Sequence, residues 1–385
     1  MENKKYSLLV IALYCYSGHA KAFINHLKAK NPLIDLTLLT NKPELMSTLL
    51  DDKSVKIVSY NVSSVKCSFS WLRHWIIKYK QIRFFANFSK DKQYDIVNVH
   101  FANKYMPYVF KYLRRMSKNI VVTPWGSDIL RKDNEYLNHL AGLYVNADYI
   151  STDKDSPLGK KIIDVFNIDP NKIVCSSFGT DIVDFAVKDG NSLSQENAKQ
   201  RFGLNGRYVI TCGYNGINNH RHKDIIEAIK KVKDRLPDNL TLLFPMTYLK
   251  NDIYMEECKQ KCTEYDINAV FLTEYMSVEE VYKLRKATDM FVHVQTTDAN
   301  SGTVKEYILC DKKIVHGSWI KYDELEAFQP LFYFPVDRLE DLGEAIVKAY
   351  KSDKIKISQG VLDIVVRCGW DYRITRLNEF FMSIV

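Results

Sequence analysis

The sequence has 385 residues, more than a single hydrophobic core usually covers, so two domains are expected. Hydrophobic residues make up 46% and charged residues 26%, which excludes a disordered or low-complexity chain. The net charge of +8 allows attraction to phosphates, anionic lipids or nucleic acid, and the eight cysteines form no CxxC pair, a pattern of reduced thiols rather than of a metal site.

In chain order, the hydrophobic pattern predicts a strand over 6–13, a helix over 18–30, a strand over 35–39 and a helix over 43–51. A strand over 54–59 and a long helix over 70–89 follow. Strands at 95–99 and 119–123 flank a helix at 104–117. A strand at 148–152, a helix at 156–166 and a strand at 172–175 close the first half. The strands are short and nearly all apolar, as in a parallel sheet covered by helices on both faces. The 6–13 run is too short for a signal-peptide core, and no stretch reaches the ~18 to 20 apolar residues of a membrane span, so a cytoplasmic location is expected.

The pattern restarts after a polar stretch at about 176–205, which reads as a linker. Strands are expected at 208–212, 240–244, 269–272, 290–294 and 313–315, with helices at 224–235, 252–265, 278–287, 303–310, 338–350 and 370–384. The fold class expected is therefore α/β, with two Rossmann-like doubly wound parallel-sheet domains facing a central cleft. The domains are placed at 1–180 and 181–370, with a terminal helix at 371–385 packing back on the first.

Ligands of such sheets bind beyond the carboxyl ends of the strands, so the strand-end loops hold the candidate site residues. After the first strand, Gly18 and His19 open a helix, whose dipole favours a neutral imidazole able to act as a base. His19 reads equally as a surface histidine. His100 ends the fourth predicted strand and is either a core residue or a site residue. Pro124-Trp125-Gly126-Ser127-Asp128 ends the next; Gly126 exposes amides there, and Asp128 can orient an imidazole or a sugar hydroxyl.

In the second half, Gly213, Asn215 and Gly216 lead into His220-Arg221-His222-Lys223, a combination of amides and cations that suits a diphosphate. Tyr248, after the strand at 240–244, either stacks on a base or packs. The stretch from Asp298 through Ser301, Gly302, Thr303, Val304 and Glu306 offers free amides at a helix start. Glu306, one turn in, can accept hydrogen bonds from vicinal hydroxyls such as a ribose, or is an ordinary residue of a capped helix. Phosphate, ribose and hydroxyl ligands together describe a sugar nucleotide. No Asp-x-Asp lies at a convincing strand end, so no metal or other cofactor is expected.

These residues resemble a family. The two-unit layout is similar to the metal-independent GT-B nucleotide-sugar glycosyltransferases. "SSFGTDIVDF" (176–185) and "PWGSD" (124–128) resemble the "PNGVD…F" and "HGSD" segments of family 4, and Asp298-x7-Glu306 resembles its E-x7-E motif with Asp for the first Glu. "GYNGINNHRHKDIIEAI" (213–229) and "FPMTYLKNDIY" (244–254) resemble segments of the bacterial 4-acetamido-4,6-dideoxygalactose transferases. The resemblance implies a sugar transfer from a nucleotide-diphosphate donor to a saccharide or lipid-linked saccharide acceptor in bacterial surface polysaccharide or glycan assembly. It implies that Glu306 holds the ribose, that the amides of Ser301 to Val304 meet the diphosphate, and that Arg221 or Lys223 neutralises it. Asp298 would approach the donor sugar. His100 and Asp128 would lie near the reacting sugar with Trp125 and Gly126, and His19 is a base candidate.

The segment 65–92 is basic and aromatic, with Phe69, Leu72, Ile76, Tyr79, Ile82 and Ala86 at helical spacing. It is expected to turn this apolar face to the core and a basic rim with some aromatics to an anionic membrane, which would make the protein peripheral. Two other readings share these features: a nucleotide-sugar 2-epimerase of the same fold, and a nucleic-acid or ligand-binding protein. No RNA-binding motif or basic tail supports the latter, and no nucleic acid partner is expected.

Overall fold

The computed structural model describes residues 4–13, 18–62, 69–175, 178–188, 193–249, 251–298, 301–322 and 333–385. Parts of the expected features, at 14–17, 65–68, 176–177, 189–192 and 299–300, lie outside these residues. The chain divides into two units, Met1–Gly179 with Trp370–Val385, and Thr180–Gly369.

The first unit is built on seven strands: β1 (Ser7–Ala12), β2 (Asp35–Thr40), β3 (Lys56–Ser59), β4 (Ile96–His100), β5 (Asn119–Thr123), β6 (Tyr149–Ser151) and β7 (Ile173–Val174). They form one parallel sheet in the order β3-β2-β1-β4-β5-β6-β7. Leu8 to Ile11 of β1 are buried on both faces, which is why the strand reads as an unbroken apolar run. The helices are α1 (His19–Lys30), α2 (Pro43–Leu49), α3 (Ser70–Phe88), α4 (Phe110–Met116), α5 (Asn134–Asn146) and α6 (Pro157–Phe166). The last helix of the chain, α15 (Trp370–Ser383), belongs to this unit. Its Trp370, Ile374, Leu377 and Phe381 share a core with Phe23, Ile24 and Leu27 of α1. Arg373 of α15 pairs with Asp153 at 2.5 Å, and Tyr6 donates to Asn378 at 3.1 Å.

The second unit has six strands: β8 (Tyr208–Cys212), β9 (Leu240–Pro245), β10 (Ala269–Leu272), β11 (Met290–His293), β12 (Lys313–Gly317) and β13 (Tyr333–Val336). They too are all parallel, in the order β10-β9-β8-β11-β12-β13. The helices are α7 (Asp181–Lys188), α8 (Gln195–Arg201), α9 (His222–Val232), α10 (Asp252–Glu264), α11 (Val278–Ala287), α12 (Gly302–Leu309), α13 (Leu342–Lys351) and α14 (Gln359–Val366).

Three sequence expectations change. The stretch read as a linker holds two helices. In α7, Ile182, Val183 and Ala186 are buried at helical spacing, and Ser194 caps α8 by accepting from Asn197 N. The helix expected at 104–117 is a 3₁₀ turn, Met106–Val109, followed by α4, with Pro107 in the first turn. In α3 the core side is Gln81 and Phe85, whereas Tyr79 faces solvent and Leu72, Ile76 and Ile82 are only half-buried. Of the anticipated face, Ile82 packs on the core beside Phe84, Phe85 and Phe88, whereas Phe69 and Tyr79 face solvent. Among the described residues no helix is long and apolar enough to cross a membrane.

Candidate active site

In each sheet the strand order reverses beside the first strand of the unit, so neighbouring loops part there and open a crevice at the carboxyl ends. In the first unit this point lies between β1 and β4, in the second between β8 and β11.

At the first of these points His100, the last residue of β4, is buried against Phe23, with ring centroids 4.6 Å apart. Trp125 Nε1 donates to His100 Nδ1 at 3.4 Å, while His100 Nε2 is buried with no hydrogen-bond partner among the described residues. Burial, with a smaller contribution from His19, pushes the His100 pKa down to about 3, so the ring is neutral at pH 7. His19 opens α1 with its ring edge-on to Trp125 at 5.3 Å and tilted against Phe178 at 5.4 Å. The residue keeps exposed surface, but these rings shield the imidazole, and desolvation holds its pKa below the ordinary histidine value. His19, His100, Trp125 and Phe178 thus form one aromatic nest. Phe101, next to His100, has a φ of 47°, a left-handed conformation that a bulky residue holds only under strain.

The structure adds detail at Gly18 and Asp128. Gly18 has an ordinary right-handed conformation with open space where a side chain would go, so nothing in the fold demands glycine there. Asp128 is completely buried, and its Oδ1 accepts from Trp125 N at 2.9 Å, closing the turn that Gly126 makes possible with a φ of 91°. Asp128 holds the loop carrying Trp125; no hydrogen bond between it and His100 is described.

Burial raises the Asp128 pKa from 3.8 to about 7, against the pull of the Trp125, Asp128 and Gly126 amides and Lys132. The folded state therefore keeps a proton that the unfolded chain has already released, and stability falls as pH rises from about 4 towards 7. Asp128→Asn keeps an oxygen for the Trp125 amide. It is expected to flatten this slope in thermal unfolding followed across that pH range.

In the second unit Gly213 follows β8 with a φ of 62°, and a Cβ there would lie 2.8 Å from His222 Nε2 and 3.0 Å from His220. Only glycine suits both the backbone and the space. Asn215 Oδ1 accepts from Ile217 N at 3.0 Å, and Gly216 N donates to Tyr248 O at 3.1 Å. These bonds shape the loop and join it to the end of β9. Tyr248 itself is half exposed.

The four-residue run His220 to Lys223 resolves into distinct roles. His220 and His222 are buried, and burial pushes the His222 pKa down to about 3. Lys223 turns to α10, where it pairs with Glu257 and lies over the Tyr254 ring. Arg221 sits in the left-handed conformation, φ 57°, with its guanidinium over the Trp319 ring at 5.1 Å. Among the described residues no carboxylate pairs with Arg221. Of the four, Arg221 is the side chain left to meet an anion.

The loop that carries Arg221 is tied to the end of β11. Gly213 N donates to Val292 O at 3.2 Å, Thr296 N to Asn219 O at 3.0 Å, and Gln295 Nε2 to Tyr214 Oη at 3.3 Å. Trp319 Nε1 donates to Gln295 O at 2.7 Å. Beyond this seam lies α12. Ser301 caps it by accepting from Thr303 N at 3.2 Å, and Val304 is buried in the first turn. The remaining first-turn amides lack intrahelical partners by geometry.

The two carboxylates of the expected motif are already engaged. Asp298 Oδ2 meets His293 Nε2 at 3.1 Å and accepts from the Tyr322 hydroxyl. Glu306 is buried; its Oε2 accepts from Arg285 Nε at 3.0 Å and its Oε1 from Thr180 Oγ1 at 2.6 Å. Arg285 also donates to Tyr307 Oη at 3.1 Å. Glu306 is thus held by Arg285 and Thr180, and a carboxylate has about four lone-pair sites and so can accept further bonds. Gly302 packs on Thr180, 3.3 Å from where its Cβ would be. Arg285, Thr180, His293, Tyr322, Tyr214 and Trp319 are site neighbours that the motif spacing did not reveal. Among the described residues no group of three or more His, Cys, Asp or Glu side chains is placed to hold a metal ion.

Residues 8–153 match the family described as "Glycosyl transferase 4-like". None of the curated proteins compared with the chain matches it. The fold is similar to that of a glycosyltransferase from Rickettsia africae, with 13% identity and a TM-score of 0.72 over 99% of both chains. It is similar to Anabaena HepE in complex with UDP and glucose, with 14% identity and a TM-score of 0.70 over 98% of this chain and 100% of that one. It is also similar to the lipopolysaccharide outer core galactosyltransferase WaaB, with 12% identity and a TM-score of 0.66 over 99% and 100%.

Proposed function

We propose that this chain, a GT-B glycosyltransferase with a glycosyl transferase 4-like segment in its first unit, moves a sugar from a nucleoside-diphosphate donor to a saccharide or lipid-linked saccharide in bacterial surface polysaccharide or glycan assembly. The observation that carries the reading is the seam in the second unit: the loop of Arg221, which has no carboxylate partner among the described residues, is hydrogen-bonded to the end of β11, the strand that α12 follows, at the reversal point of the sheet. HepE holds UDP and UDP-glucose in its structures, which favours a donor of that class.

The chemistry follows from charge. The bond from the anomeric carbon to the diphosphate oxygen breaks with its electron pair on oxygen, leaving an oxocarbenium-like sugar. Arg221 and the amides from Ser301 to Val304 stabilise the departing diphosphate, the task of an oxyanion site. Tyr248 flanks the base. Asp298, oriented by His293 and Tyr322, faces the donor sugar, and Glu306 adds a ribose contact. The acceptor hydroxyl oxygen forms the new bond to the anomeric carbon and its proton passes to the neutral His19, while His100 accepts a hydrogen bond from the acceptor. The reaction proceeds without a metal, and the protein works at the cytoplasmic side of a membrane.

The test is a thermal-shift series against UDP-, GDP- and dTDP-sugars, followed by transfer assays with and without chelator. A donor at 100 times its Kd is expected to add about 2.7 kcal/mol of stability. Conversion of the donor sugar with no acceptor present would favour the 2-epimerase reading instead. Loss of transfer on chelation would contradict metal independence.

A further inference from the structure

We infer that the outward face of α3 is a docking surface for an anionic lipid bilayer. Ile82, Phe84, Phe85 and Phe88 of this helix pack on the core of the first unit, but its first turns direct large rings outward. Its core side presents Gln81, which accepts from Tyr60 Oη at 3.0 Å and donates to Met106 Sδ at 3.2 Å, together with Phe85. Its solvent side carries the large rings: Trp71 and Trp75 are each 64% exposed and Tyr79 is 62% exposed. These three lie at i, i+4 and i+8, so consecutive rings are neighbours along one stripe. Tyr108, from the adjoining 3₁₀ turn, extends the patch, with Lys78 Nζ 3.5 Å from its ring centroid and 5.3 Å from that of Trp75.

Exposing three rings of this size to water is costly, and a covering partner removes that cost. Charge identifies the partner. Arg73, Lys80 and Arg83 are exposed along the same helix, and the 70–88 segment has no Asp or Glu at all. A second copy docking through the same face would set like charges against like. A bilayer rich in anionic lipid offers negative headgroups to the basic rim and a boundary zone in which tryptophan and tyrosine are favoured. None of the patch residues is given a role in sugar transfer, so this inference stands or falls independently of it.

The test uses the full chain without donor. Its co-sedimentation is measured with phosphatidylcholine vesicles and with vesicles that also contain phosphatidylglycerol. Binding is expected only with phosphatidylglycerol and is expected to weaken at high salt. Replacing Arg73, Lys80 and Arg83 together by glutamine is expected to cut binding on the order of 100-fold, about fivefold for each basic side chain. The Trp71→Ser/Trp75→Ser/Tyr79→Ser variant is expected to lose binding while keeping the wild-type melting temperature, because these side chains stand outside the core. Equal binding to both vesicle types, or retention by the serine variant, would overturn the inference. So would a wild-type dimer in sedimentation velocity that the serine variant dissolves, because the face would then belong to a second copy.

Discussion

Arg221→Asn is expected to lower turnover about 10²- to 10³-fold, the loss that follows removal of one oxyanion donor. Asparagine tolerates the left-handed conformation that Arg221 adopts, so the backbone is preserved and the effect isolates the charge. Lys223→Ala is expected to stay within a few-fold of the wild type, because Lys223 pairs with Glu257 on α10 at a partly exposed position. The sequence run His-Arg-His-Lys offers both residues equally. The structure separates them by direction: one cation turns to a neighbouring helix, and the other lies over Trp319 beside the β11 seam. Steady-state kinetics on the two variants decides the matter, and near-normal turnover in Arg221→Asn would remove Arg221 from the leaving-group site.

Arg285→Met is expected to be the most destabilising single change in the second unit. Arg285 and Glu306 are both buried, with side chains each 7% exposed, and removing the cation strands a carboxylate out of water. Breaking such a pair costs about 3 to 5 kcal/mol, whereas replacing both partners by apolar residues is often close to neutral. At this domain size the loss is roughly 10 °C in melting temperature. The double variant Arg285→Met/Glu306→Leu is expected to recover most of that stability while still failing to bind donor, because the ribose contact proposed for Glu306 is gone. Calorimetry together with donor titration separates the outcomes. Full donor affinity in the double variant would show that Glu306 serves the fold alone.

The strands were legible because parallel strands buried on both faces leave unbroken apolar runs, and the strand-end loops followed from them. Both reversal points of the two sheets fall on loops singled out in the sequence, those of His19 and His100 and those of Gly213 and Asp298. The side-chain partners were less visible. Nothing local links Arg285 to Glu306, 21 positions away, or Tyr322 to Asp298, 24 positions away, because the topology alone brings them together. The face of α3 is only partly legible because apolar and aromatic residues occur all round the helix, and a buried glutamine gives no periodic signal. Helices α7 and α8 were read as linker because the polar stretch between them outweighs the short apolar stripe of α7.

The central claim is that the second unit holds the sugar nucleotide where β8 and β11 end. A crystal structure of the chain with UDP tests it most directly. The nucleotide is expected beside the Gly213–Arg221 loop, with a phosphate oxygen on the Arg221 guanidinium and the amides of Ser301 to Val304 within hydrogen-bond reach. UDP bound instead at the ends of β1 and β4, with the Arg221 side chain still over Trp319 and touching no phosphate, would contradict it.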